Sequence, residues 1–257
     1  MVDNAPEGDA RAAVGVGPER WLHEPRRNIA HARNRALDAA RGTWIAFVDD
    51  DEIADESWLA AYLAHAEGGA WEGLFGPVIP RLERVATPWL DLDTFYARAR
   101  HPSGRPLGPT ELRTSNAFVR RALFEGRRFD PAYGRSGGSD AELFGRMLAA
   151  GARFAFCDEA RVTETLPPER HTLGWLTRRA FRGGFVFSRM ALARDPRARR
   201  SGAPRALAVL LGCAAALPFT LPLGRPAAAR IWLRGAVQAG HLWAFAGGSF
   251  QEYGREG

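Results

Sequence analysis

Apolar and polar positions fall in blocks along this chain, and the repeat length changes from block to block. From Asn28 onward Ile29, Ala32, Ala36, Leu37 and Ala40 recur at three- and four-residue spacing, which predicts a helix capped by Asn28 and stopped at Gly42. "TWIAFV", Thr43 to Val48, has no polar alternation, as expected of a strand covered on both faces in a parallel sheet. A helix is expected from Asp55 or Ser57, with Trp58, Leu59, Tyr62, Leu63 and Ala66 on its buried side. "GLFGPVIPRL" reads as a further strand interrupted by Pro. Residues 81–113 keep no period and are read as a partly helical excursion over the sheet edge.

From Thr114 the pattern gives strand, short helix, Gly-rich loop, helix and strand. Ser139 and Glu142 are spaced as a capping box, Leu143, Met147 and Leu148 supply an apolar face, and Gly151 is the stop. Alternating strands and helices predict an α/β fold, a mostly parallel sheet flanked by helices with its site at the carboxyl ends of the strands.

The composition changes near residue 195, so the chain is divided into residues 1–195 and a tail of 196–257. "RDPRARRSGAPR" reads as a basic linker, and the 18 residues Ala206 to Leu223 carry no charge. A spanning helix needs about 20 apolar residues, and Pro218 and Pro222 weaken this one. Arg flanks both ends, which favours keeping both on the cytoplasmic side. In the last helix Arg230, Arg234, Gln238 and His241 are expected on one face, so the tail is read as a re-entrant or interfacial membrane anchor. The alternative is two helices packed on the first domain or on a partner.

At 257 residues and 46% hydrophobic content the chain can fill a sizeable core. Its net charge is +6, and all 35 basic residues are Arg. Arg grips phosphate with two parallel hydrogen bonds, so nucleotide diphosphates, anionic lipid and nucleic acid are all eligible partners. Nucleic acid is disfavoured, because the Arg residues are spread out without interleaved aromatics. Two distant cysteines, Cys157 and Cys213, give no disulfide framework and fit a reducing compartment. The first residues contain no apolar run, so no signal peptide is expected, and the chain is placed in the cytoplasm at the inner face of the cell membrane.

"WIAFVDDDEIADE" carries the candidate chemistry, with six carboxylates in eight residues. Charges so crowded raise one another's pKa unless a cation or strong hydrogen bonds offset them. Asp49 and Asp51 can share one hard cation while Asp50 faces a sugar or ribose hydroxyl. Mg²⁺ or Mn²⁺ held by one or two carboxylates completes its shell with substrate phosphates.

At these residues the chain resembles the family 2 glycosyltransferases of the GT-A fold. "RNIAHARNRALDAARGTWIAFVDDDEIADESWL" looks like that family's helix, strand and Asp-rich metal motif. "TSNAFVRRALFEGRRFDPAYGRSGGSDAELFGRMLAAG" is similar to its acceptor-side segment, and with "TETLPPERHTLGWLTRRAFRGG" the likeness covers about residues 1 to 190. The nearest branch builds bacterial exopolysaccharide and other surface glycans. The resemblance implies a nucleotide-sugar donor, a divalent metal, inversion at the anomeric carbon, and a saccharide or lipid-linked acceptor. It makes Asp51 a metal ligand with Asp49, puts Asp50 on metal or ribose, matches Asp3 to the acid that meets the nucleotide base, and matches Asp140 to the general base. Glu164 stands where many relatives place a His or Glu near the metal. Arg170, Arg178, Arg179 and Arg182 fall in the Arg-rich segment that covers the diphosphate, and Arg33 and Asn34 either reach the donor or orient their helix.

Relatives place a strand and a nucleotide-holding turn before "VDNA", so an N-terminally incomplete sheet is expected, with a start assigned too far downstream. Two other readings are a truncated, inactive membrane-associated scaffold and a haloacid dehalogenase-like phosphatase. The latter needs a Lys at its phosphoryl site, and the sequence has none.

Overall fold

The Asn28 carboxamide accepts a hydrogen bond from the Ala30 amide and starts helix α1, Ile29–Ala39. Ala40 turns to extended backbone and closes the helix two residues before Gly42. The computed structural model describes residues 2–5, 7 and 21–251. They divide into two units: one takes the chain to Ile79 plus Arg98–Glu164, the other Pro80–Ala97 and Thr165–Phe250.

In the first unit β1, Val2–Asp3, runs parallel to β2, Leu22–His23. A four-stranded sheet has the order β3 (Trp44–Phe47), β7 (Ala117–Arg120), β5 (Gly73–Phe75), β8 (Phe154–Phe156). Trp44 faces Arg120 and Phe47 faces Ala117 in an antiparallel register, β5 is also antiparallel to β7, and β5 runs parallel to β8. The α/β class stands, but β3 is half-buried beside an antiparallel neighbour rather than enclosed among parallel strands. Its missing alternation has another cause, because its two faces feed two different cores. Ile45 and Phe47 pack with Leu143, Phe144, Met147 and Phe154. Trp44 joins Tyr62, Leu74 and Phe118 on the other face, stacking on Phe118 at 4.8 Å.

Helix α2, Trp58–Glu67, covers that second face with Tyr62 and Ala66. Its buried stripe is narrower than expected, since Leu59 and Leu63 are 46% and 44% exposed. "GLFGPVIPRL" is two strands, β5 and β6 (Val78–Leu82), broken at Gly76-Pro77. A Cβ on Gly76 would lie 2.0 Å from the Ala160 carbonyl oxygen, so the chain must be bare there. Strand β4, Glu52–Ala54, pairs antiparallel with β9, Val162–Leu166, placing Glu52 opposite Glu164.

In the second unit the excursion over 81–113 contributes one short helix, α3, Leu92–Phe95. Leu90, Tyr96, Leu166 and Leu176 form its core. His171, buried, accepts the Ala86 and Thr87 amides at Nδ1 and donates from Nε2 to the Leu90 carbonyl, as a structural histidine does.

The first unit's last helix is α4, Ser139–Ala149. Gly138 at φ 90° is its N-cap, so Ser139 stands one position inside and no capping box forms; Glu142 pairs with Arg146 instead. Leu143 and Met147 are buried as expected, and Gly151 follows the helix at φ 93°.

Three long helices complete the second unit: α5, Leu173–Arg194, α6, Ala198–Thr220, and α7, Arg225–Phe245. The expected basic linker is thus largely the first turns of α6. Gly184 and Gly240 let α5 and α7 cross with backbones nearly touching, as a Cβ on either would sit 2.0 Å from a carbonyl oxygen of the other helix. His241 bonds Ser188 at 2.7 Å across that seam and so belongs to the packed side of α7. Helix α6 with the turn to Leu223 is apolar enough to cross a membrane, and only 11% of that stretch is buried.

Candidate active site

The turn after β3 carries Asp49, Asp50 and Asp51 beside the start of α4. Arg33, on α1, ties the two: its guanidinium donates to Ser139 Oγ at 3.2 Å and lies 3.9 Å from Asp49 Oδ1. Asp140, next to Ser139 in the first turn of α4, accepts the Thr114 amide at Oδ2 and the Ala141 amide at Oδ1. The Thr114 hydroxyl, buried close by, has no hydrogen-bond partner. Asn34, by contrast, exchanges two hydrogen bonds with the Phe129 backbone and serves to orient α1.

Charge is crowded here. Burial raises the pKa of Asp49, although its side chain is 43% exposed. Arg33 opposes the rise, while Asp51, Asp140 and Asp50 add to it. Glu52, whose carboxylate accepts the Asp49 amide, is pushed up to about 7, first by burial and then by Asp49 and Glu164. Glu164 faces Glu52 across the ladder and has Arg98 4.0 Å away. Arg98 also donates to Ser115 Oγ.

Beside this cluster opens a cavity of about 270 Å³, lined among others by Phe75, Pro77, Arg98, His101, Arg113 and Ser115. Burial and the Arg98 charge both depress the Arg113 pKa, with Asp140 acting the other way. The cavity thus contains two guanidinium groups, Arg98 beside Glu164 and Arg113 coupled to Asp140.

An all-oxygen set of Asp49, Asp51 and Glu164 suits a hard divalent cation. The set is open: the closely converging three-ligand group among the described residues lies elsewhere. One or two carboxylates with substrate phosphates is the usual shell for Mg²⁺. Asp50 is exposed on the same turn. Asp3 ends β1, buried, its carboxylate accepting the Ala5 amide. Arg170 and Arg178 belong to the second unit: the Arg170 carbonyl accepts the Tyr96 hydroxyl, and the Arg178 guanidinium lies 5.6 Å from the Phe250 ring centroid.

Sequence reasoning missed Glu52, Arg98, Arg113, Thr114 and Asn116. Glu52 left a trace as one of the six carboxylates, and Asn116 as a polar residue opening an apolar strand run. At φ 54° and fully buried, Asn116 accepts from Trp58 Nε1 and Tyr62 Oη and donates to the Pro77 and Ala160 carbonyls. Asn116→Ala leaves these groups short of partners and places Ala at positive φ. It is expected to lower stability by about 2–4 kcal/mol, read as a reduced midpoint in chemical denaturation.

Residues 18–125 match the family described as Glycosyl transferase family 2. Over 202 residues the chain is 37% identical to the succinoglycan biosynthesis protein ExoM of Rhizobium meliloti (strain 1021), covering 74% of this chain and 63% of that protein. The chain thus spans a little under two thirds of that relative's length. In fold it is similar to S. aureus TarS 1–349, solved with UDP-GlcNAc, at a TM-score of 0.50 and 14% identity, over 97% of this chain and 83% of that one.

Proposed function

We propose that this chain, whose residues 18–125 match the family described as Glycosyl transferase family 2, moves a sugar from a nucleotide-sugar donor, with inversion, onto a saccharide or lipid-linked acceptor during bacterial exopolysaccharide synthesis. The observation that carries this reading is the meeting of the Asp49–Asp51 turn and Asp140 through Arg33 and Ser139. An inverting displacement needs a base on the face of the sugar opposite the departing diphosphate. Asp140 takes the proton of the acceptor hydroxyl as that oxygen attacks the anomeric carbon. Its carboxylate is aimed by the Thr114 and Ala141 amides.

Asp49 and Asp51, with Glu164, would hold Mg²⁺ or Mn²⁺, which when bound stabilises the charge on the leaving diphosphate. Arg33 keeps Asp49 in place and limits the repulsion between the Asp-rich turn and Asp140. Asp50 and Asp3 are assigned to ribose and base. The test is a thermal-shift screen of nucleotide sugars with Mn²⁺, followed by transfer to a saccharide or polyprenyl-linked acceptor. A chain that no nucleotide sugar stabilises and that consumes none is not this enzyme.

The outer side of α6 supports membrane association at the cytoplasmic face. Leu207, Leu211, Phe219, Leu221 and Leu223 are 48–79% exposed, and burying one such side chain contributes about 1.5–3 kcal/mol. Arg197, Arg199, Arg200 and Arg205 precede that apolar stretch and suit anionic headgroups. Leu211→Glu with Phe219→Glu is expected to weaken sedimentation with anionic-lipid vesicles by more than about ten-fold. Equal sedimentation of variant and parent would remove α6 as the anchor.

A further inference from the structure

In the first unit, away from the chemistry assigned above, three side chains of different kinds converge. His65 is on α2, Cys157 follows β8, and Glu159 lies in the turn toward β9. Their ligand atoms all lie within 4.8 Å of one another. Cys157 Sγ is 3.7 Å from His65 Nδ1 and 3.8 Å from Glu159 Oε2, and His65 Nε2 is 3.6 Å from the same Oε2. We propose that His65, Cys157 and Glu159 form a second cation site, one that takes Zn²⁺ or a similar borderline transition ion, with water in the fourth position.

Three observations carry this. The first is spacing. Tetrahedral Zn²⁺ with bonds of roughly 2.3 Å to S and 2.0–2.2 Å to N and O holds its ligands about 3.3–3.6 Å apart; the separations of Glu159 Oε2 from His65 Nε2 and from Cys157 Sγ close with shifts of a few tenths of an ångström, and because the 3.7 Å contact of Cys157 Sγ is to the other ring nitrogen, Nδ1, the ring must also turn to bring Nε2 toward the thiol. The second is the layer behind the ligands. His65 Nδ1 meets the Ala61 carbonyl at 3.1 Å, which holds the ring proton there and leaves the Nε2 lone pair facing Glu159. Ser103 Oγ donates to Glu159 Oε2 at 2.5 Å, and His101 and Arg100 are engaged with Glu111 and Asp158, so among the described residues the cation paired with the Glu159 carboxylate is His65 itself. The third is the ligand mixture. One thiol, one imidazole and one carboxylate suit zinc better than the hard ions expected at the aspartates.

The same geometry argues against a nucleophilic role for Cys157. The residue is fully buried, and burial pushes its thiol up to about 11, the opposite of an activated cysteine. A bound cation supplies what would draw off that proton, so uptake releases a proton and strengthens as pH rises. Solvent reaches the site over His65 and Glu159, whose side chains are 32% and 56% exposed. The ion would fasten α2 to the Cys157–Ala160 turn, the two segments that also bond Asn116 through Tyr62 and the Ala160 carbonyl. Its role is therefore structural support under the active site.

The experiment uses the untagged full chain, stripped with chelator and dialysed into excess Mg²⁺ to occupy the aspartates. Calorimetric titration is expected to register one Zn²⁺ per chain. Cys157→Ser and His65→Gln should each lower the affinity at least about ten-fold while Mn²⁺ binding at the aspartates is unchanged. With Co²⁺ in place of Zn²⁺, the parent should show a thiolate-to-metal charge-transfer band that Cys157→Ser lacks. His65→Gln, at a half-buried surface position, keeps the test valid if the buried serine impairs folding. Absence of the cobalt band, or equal Zn²⁺ uptake by the parent and His65→Gln, overturns the site, and neither outcome bears on the transferase reading.

Discussion

Asp140→Asn is expected to cut turnover by roughly 10² to 10⁴, the contribution of a positioned general base, while donor affinity stays within about two-fold. Asn is nearly isosteric, and its amide oxygen can still accept the Thr114 amide that now meets Oδ2, so α4 and the adjoining backbone should keep their places. What is lost is the ability to take a proton. The measurement pairs steady-state transfer with calorimetric binding of nucleoside diphosphate plus Mn²⁺. If the variant turns over like the parent, Asp140 is only a helix-start carboxylate favoured by the macrodipole. If binding falls together with turnover, its role is architectural.

Asp51→Ala should abolish metal-dependent transfer by removing a ligand while leaving the ion pair between Arg33 and Asp49 intact. Loss of the cation's stabilisation of the leaving diphosphate corresponds to several kcal/mol in the barrier, and Mn²⁺ affinity should fall by about 100-fold or more. Nucleoside diphosphate should then bind the variant equally with and without Mn²⁺, whereas the parent should bind it more tightly with the ion. Undiminished Mn²⁺ uptake by Asp51→Ala would transfer the metal to other carboxylates of the cluster, such as Asp49, Glu52 and Glu164. Asp51 is the better probe than Asp49, because removing Asp49 would also release Arg33 from its ion pair.

The elements set by local chemistry were legible without coordinates. Asn28 could be read as a cap because its carboxamide reaches an amide two residues on, and Gly151 as a stop because it tolerates the left-handed backbone that follows α4. The Asp-rich turn could be read because six carboxylates in eight residues ask for a counter-charge wherever they lie. The Ser139–Glu142 spacing misled, since Gly138 took the cap position and moved the helix start by one residue.

Long-range facts were out of reach. That β3 pairs antiparallel with β7 depends on where the chain returns after its excursion through residues 81–113, and no local periodicity encodes a return path. The partners of Asp49 divide the same way. Asp50 and Asp51 lie one and two residues along the chain, but Arg33 and Asp140 are contributed by separate elements. Residue order alone determined which segments bend, coil or extend and where charge accumulates, because those depend on neighbours a few bonds away. Tertiary structure alone decided which of those charges meet, because electrostatic coupling falls with distance through space and is indifferent to distance along the chain.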